Sequence, residues 1–77
     1  MVRAEVRLKD ISAIKRFVDV ANDLKSEAEL SVGDYRVDAK SIMGILSMDL
    51  ARTMTLEIKD DNEGRKFLEE IKEYIEK

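Results

Sequence analysis

The sequence predicts an α+β fold, an open-faced sandwich in which a four-stranded antiparallel sheet carries helices on one face. Three observations point to it. Four segments alternate apolar and polar residues with period two, each with a single apolar face. Two longer segments instead repeat apolar residues every three or four positions, the period of a helix with one buried stripe. Strands of this kind need one covering layer, and two amphipathic helices supply it while the opposite sheet face stays wet.

Val2, Ala4, Val6 and Leu8 alternate with Arg3, Glu5 and Arg7 as the first strand. After Asp10 the period changes: Ile14, Phe17, Val18, Ala21 and Leu24 mark one face of a helix of about four turns. Ala28, Leu30 and Val32 alternate again, as do Tyr35, Val37 and Ala39. Gly33-Asp34 between them is a two-residue loop with glycine first, which predicts a type II′ hairpin. Ser41 is placed to cap a short helix carrying Ile42, Ile45 and Leu46, because its hydroxyl accepts from an otherwise unpaired amide. Met54, Leu56 and Ile58 form the last strand, with Thr53, Thr55, Glu57 and Lys59 between and beside them. Asp60-Asp61-Asn62-Glu63 puts capping and acidic residues at the start of a final helix, where its dipole favours them. That helix carries the stripe Phe67, Leu68, Ile71, Tyr74 and Ile75, with Glu73 and Lys77 spaced as a surface ion pair. Tyr35 and Tyr74 fall in apolar stripes and are expected in the core or at its margin.

A length of 77 residues, with no repeat, linker or low-complexity segment, predicts one domain spanning 1–77. Fourteen basic and seventeen acidic residues give a net charge of −3, which offers no electrostatic ground for a nucleic-acid or anionic membrane partner. Apolar runs are only a few residues long, so the reading is neither signal peptide nor transmembrane helix, and a cytoplasmic protein is expected. The chain holds neither cysteine nor histidine. A transition-metal site would have to use carboxylates alone, and the acidic run at residues 60–63 lacks the alternating ligands and glycine of a calcium loop. Gly33 and Gly44 are isolated and form no phosphate-cradling pattern. No cofactor is expected. Lys15, Arg16 and Arg52 are a further, unspecific basic group.

The segment Ala39–Leu50, AKSIMGILSMDL, carries more information than any other. Its Lys40-Ser41-Ile42-Met43-Gly44 run resembles the regulatory serine region of the HPr family, the histidine-containing phosphocarriers of the bacterial sugar phosphotransferase system. Asp38-Ala39-Lys40 resembles the end of that family's third strand, and Leu56 and Ile58 its last strand. The element order agrees over nearly the whole chain, and the motif itself spans about residues 37–50. The resemblance implies a family of phosphoryl carriers and protein-binding modules rather than enzymes.

The same resemblance implies a histidine capping the first helix, with an arginine and a proline after it and a glycine before. Counting back from Ser41, Asp10 falls at the histidine position, Ser12 at the arginine and Ala13 at the proline, and no glycine precedes Gly33. The family's imidazole attacks phosphorus as a neutral nucleophile, while helix-end amides and the arginine hold the phosphoryl oxygens. A chain without histidine has no such nucleophile. Asp10 reads as a helix cap, with an acyl phosphate as the alternative, and Ser12 as a solvent-facing or second capping residue.

By resemblance, Ser41 is the position phosphorylated by a dedicated serine kinase, and a phosphoserine there would sit at a helix N-terminus. The plainer reading is a cap. Ile42, Met43 and Leu46 resemble the family's partner-docking patch, with core packing as the plain reading. The expected function is an HPr-like regulatory or binding module without phosphohistidine transfer, whose partners are a serine kinase, a transcriptional regulator or sugar-transport components. A phosphocarrier using Asp10 or Ser12, or a self-associating structural domain, are the alternatives.

Overall fold

Period-two alternation becomes four strands and period-3.6 repetition becomes helices in the order that the sequence predicts. In the computed structural model, which describes residues 1–49 and 51–76, the elements are β1 (Val2–Val6), α1 (Ile11–Ala21), β2 (Ala28–Val32), β3 (Tyr35–Asp38), α2 (Ile42–Leu46), β4 (Met54–Ile58) and α3 (Asp61–Glu70). The sheet order is β1-β4-β2-β3, antiparallel throughout. Register puts Ala4, Leu56, Leu30 and Val37 in one row across all four strands, on the face that the helices cover. Met54, Leu56 and Ile58 of β4 are fully buried, as its position between β1 and β2 requires. The helices meet above them, where the rings of Phe17 and Phe67 pack edge to face with centroids 5.3 Å apart.

On the open face the matching row is Arg3, Glu57, Glu29 and Asp38. Glu57 and Glu29 stand directly opposite each other, an unfavourable like-charge pair. Arg3 lies 4.0 Å from Glu57 and Arg36 lies 3.6 Å from Glu29, so each carboxylate has its own counter-charge.

The hairpin follows its turn chemistry. Gly33 has φ +58 and Asp34 does not have positive φ, the combination that distinguishes type II′ from type I′. At Gly64 of α3 the constraint is space: a Cβ there would lie 2.7 Å from Val2 Cγ2 and 2.8 Å from its Cβ. Glycine lets α3 approach β1 that closely.

Two helices end earlier than their apolar stripes suggest. α1 stops at Ala21, and Asn22, Asp23 and Leu24 donate to Val18, Val20 and Ala21 in a tightened turn that still buries Leu24. Asparagine and aspartate compete with helix hydrogen bonding, which accounts for the stop. α3 gives way after Glu70 to a 3₁₀ turn over Lys72–Tyr74, and Ile75 then pairs with Val6 as an antiparallel bridge. Arg7 N–H donates to the Tyr74 carbonyl and Glu76 N–H to the Glu5 carbonyl, both at 2.8 Å. The last residues thus cover the edge of β1, whose backbone groups there would otherwise lack partners. Of the expected Glu73–Lys77 pair, Lys77 lies outside the described residues. Glu73 pairs with Arg16 at 3.3 Å. Contrary to its place in an apolar stripe, Tyr35 does not join the core: it lies at the hairpin end of the sheet and is 49% exposed, its hydroxyl 2.6 Å from Ser47 Oγ.

Asp60 caps α3 by accepting from Glu63 N–H at 2.7 Å. The Glu63 carboxylate turns outward and accepts from the amides of Lys25 and Ser26, at 2.9–3.1 Å, clamping the α1–β2 loop to α3. The Lys25 amide, with that of Ser26, holds the Glu63 carboxyl below its ordinary value against a smaller opposing effect of desolvation.

Gly64→Ala is expected to lower stability by about 1–3 kcal/mol through overpacking, although alanine is worth ~1 kcal/mol more than glycine in a helix interior. The urea midpoint measures this, and Val2→Ala in the same chain should recover part of the loss. Because the folded-state value of Glu63 is lowered, its contribution is present above the unfolded glutamate value of about 4.3 and is lost as pH falls through the folded one. Glu63→Gln should therefore be less stable than wild type at pH 7. Its melting temperature should also fall less steeply than wild type's below about pH 4.

Candidate functional site

The expected site residues fall on two elements. Asp10 and Ser12 begin α1, where they line a shallow cleft with Arg7, Lys9, Ala13, Arg16, Glu73 and Tyr74. Ser41, Ile42, Met43 and Leu46 belong to α2, which packs against α1 and β3 and contributes nothing to that cleft.

Asp10 is the N-cap of α1. Its backbone is extended, and its Oδ1 accepts from Ala13 N–H at 2.8 Å while its carbonyl accepts from Ile14 N–H at 3.1 Å. The carboxylate is thus already committed to a backbone donor. Ser12 is exposed, and its hydroxyl makes no hydrogen bond among the described residues. Of the three basic residues singled out in the sequence, only Arg16 lines the cleft; Arg7 and Lys9 are its other cations. Arg16 is taken up by Glu73, and Arg7 Nη1 lies 4.0 Å from Glu76. Tyr74 is half-buried at the cleft wall. Burial first, then the charge of Glu73, pushes its hydroxyl above the ordinary tyrosine value. Within the cleft Arg16 is paired with Glu73, and the groups of the phosphoryl-accepting kind on its wall are the Asp10 carboxylate and the Ser12 hydroxyl.

Ser41 caps α2 in the same way. Its Oγ accepts from Gly44 N–H at 3.1 Å, and its carbonyl accepts from Ile45 N–H at 3.0 Å. The approach of Gly44 to β3 is close, since a Cβ there would lie 3.1 Å from both Ser41 Oγ and Val37 Cβ. Before the cap, Asp38 Oδ1 accepts from Lys40 N–H at 2.9 Å, and Lys40 Nζ donates to the Leu24 carbonyl at 2.7 Å. This fixes the entry to α2 against the turn that follows α1.

The helix divides its apolar residues. Ile45 is fully buried and Ile42 packs in part against the core. Met43 is 75% exposed and Leu46 42%, whereas Met48, just beyond α2, is buried. Five residues form little more than one turn, so the helix cannot turn every apolar side chain inward. Ile11, the first residue of α1, is 57% exposed. Spacing gives no sign of that, because Ile11 precedes Ile14 by three positions on the same stripe. Among the described residues, no group of three or more acidic side chains is arranged to hold a metal ion, and no helix is long and apolar enough to cross a membrane.

Ser41→Ala should cost about 1 kcal/mol through loss of the cap. Ser41→Asp, which keeps an acceptor at the same place, should recover most of it. Paired urea titrations of the two variants decide this.

Comparison with known proteins agrees with the geometry at the level of family and fold. Residues 10–77 match the family model described as the PTS HPr component phosphorylation site. The chain is similar to the phosphocarrier protein HPr of Bacillus anthracis str. Ames, with 28% identity and a TM-score of 0.71 over 97% of this chain and 94% of that one. It is also similar to Crh, the catabolite repression containing protein of Bacillus subtilis, described as a dimer with a swapping domain. There the identity is 28% and the TM-score 0.64, over 100% of this chain and 93% of that one. HPr-C-His of Thermoanaerobacter tengcongensis shares the fold, with a TM-score of 0.78 at 22% identity over 95% of this chain and 89% of that one. No match was found among curated protein sequences.

Proposed function

The chain belongs to the HPr family of the phosphotransferase system, and from that premise we propose that it is a regulatory or protein-binding module that does not carry phosphohistidine. Members of the family are phosphocarriers rather than enzymes. This chain has no histidine, so the imidazole that would receive and release the phosphoryl group is missing. In its expected place Asp10 serves α1 as a cap.

The observation that carries the positive half of the proposal is the exposure of Met43 and Leu46 on α2 beside Ser41. Exposed apolar side chains on a short, firmly anchored helix suit protein contact, and methionine adapts to differing partner surfaces. Ile42 supports the patch from its half-buried position. Phosphorylation of Ser41 would add about two negative charges next to these side chains and change what the patch accepts. Suitable partners are proteins that recognise an HPr surface: a serine kinase, a transcriptional regulator or transport components. The likeness to Crh, itself described as a dimer, favours self-association as a second reading.

Incubation with HPr serine kinase and ATP should raise the mass of the protein by one phosphate, and Ser41→Ala should stay unmodified. Failure of the wild type to react under conditions that modify an authentic HPr would remove Ser41 regulation from the proposal. With phosphoenolpyruvate and enzyme I in place of kinase and ATP, no phosphate should be incorporated. Alkali-labile label on Asp10, or acid-stable label on Ser12, would replace the proposal by a phosphocarrier with an unusual acceptor.

A further inference from the structure

Sulfur in this chain is confined to methionine, since four methionines are present and no cysteine. Sulfur chemistry with peroxide must therefore run through thioethers. The fold separates the four sharply. Met48 is 6% exposed and Met54 is fully buried, whereas Met1 is 69% and Met43 75% exposed. Met1 precedes β1, while Met43 stands on α2 between Ile42 and Gly44, in the row that ends at Leu46. Gly44 has no side chain with which to shade the thioether.

We infer that Met43 is a reversible oxidation site that switches the polarity of the α2 surface. The co-reactant is a hydroperoxide. The Met43 sulfur attacks the outer peroxide oxygen, an S–O bond forms as the O–O bond breaks, and sulfur loses two electrons. With hydrogen peroxide the remaining oxygen leaves as water after proton transfer. In the return step two thiols of a methionine sulfoxide reductase are oxidised to a disulfide, and the sulfoxide oxygen leaves as water. Because the Met43 side chain already projects into solvent, neither step requires the core to open. The sulfoxide is polar and chiral, so it interrupts the apolar row of Ile42, Met43 and Leu46 where the thioether continued it. The same change at Met1 alters no apolar row on α2. Any consequence for docking rests on the proposed function above, but the oxidation and the polarity change do not.

The test needs no partner, so its failure is distinguishable from failure of the binding role. The folded protein is treated with graded hydrogen peroxide, and oxidised methionines are located by peptide mass spectrometry in wild type and in Met43→Leu. Met43 should gain one oxygen at least ten-fold faster than Met48 or Met54, with the thermal melting transition retained. A mixture of the two epimer-specific methionine sulfoxide reductases with dithiothreitol should remove it. On a phenyl hydrophobic-interaction column the oxidised wild type should elute earlier than the untreated protein, and reduction should restore its position. Met43→Leu, which keeps Met1, should show little or no shift. Equal oxidation rates at Met43 and Met48 would overturn the inference. So would a sulfoxide that the reductases leave in place, or an elution shift as large in Met43→Leu as in wild type.

Discussion

The edge-to-face contact of Phe17 with Phe67, 5.3 Å between ring centres, joins the two helices that cover the sheet. The rest of the structure depends on that joint. Four strands with one apolar face each can be sealed by a single layer only if the two long helices close over the middle of the sheet, where β4 lies between β1 and β2. Glycine at position 64 sets how near α3 comes to β1, and the Glu63 carboxylate ties the α1–β2 loop to the start of α3. α2 stands outside this double cover. It reaches the core through Ile45 and leaves Met43 and Leu46 exposed. The surface proposed for binding is thus a consequence of how the core is closed.

Much of this was legible in the residues because periodicity reports which face of an element is buried. The four strands, the three helices, the Gly33-Asp34 hairpin and the caps at Asp10, Ser41 and Asp60 all follow from local chemistry. What periodicity does not report is the neighbour of each face. The insertion of β4 between β1 and β2, the turning back of Ile75 onto Val6 and the exposure of Tyr35 are tertiary outcomes. Helix ends escaped for a related reason. Leu24 keeps the spacing of the stripe and stays buried, yet it reaches the core from a turn and not from α1.

The two candidate regions were legible to different degrees. The motif at residues 40–44 identified α2 and its cap directly, but it did not say which apolar side chains would be exposed, because a one-turn helix has no stripe to read. At the start of α1, only the family resemblance puts Asp10 at the position where a histidine is expected. Its role as a cap is local chemistry, visible in the sequence and borne out by the bond to Ala13. Ile11 and Tyr35, both exposed, had no distinguishing signal, since apolar residues at stripe positions look alike whether or not something covers them. In the cleft at α1 the Asp10 carboxylate is spent on a backbone amide, whereas α2 leaves Met43 and Leu46 exposed, and the proposed recognition role rests on that contrast.

Mapping the contact surface at single-residue resolution tests this most directly. The backbone amide signals of ¹⁵N-labelled protein would be followed by NMR during titration with unlabelled HPr serine kinase. Perturbations should concentrate on Ser41–Leu46, with Asp10 and Ser12 little affected. Perturbations centred on Asp10–Ser12, with α2 unchanged, would contradict it.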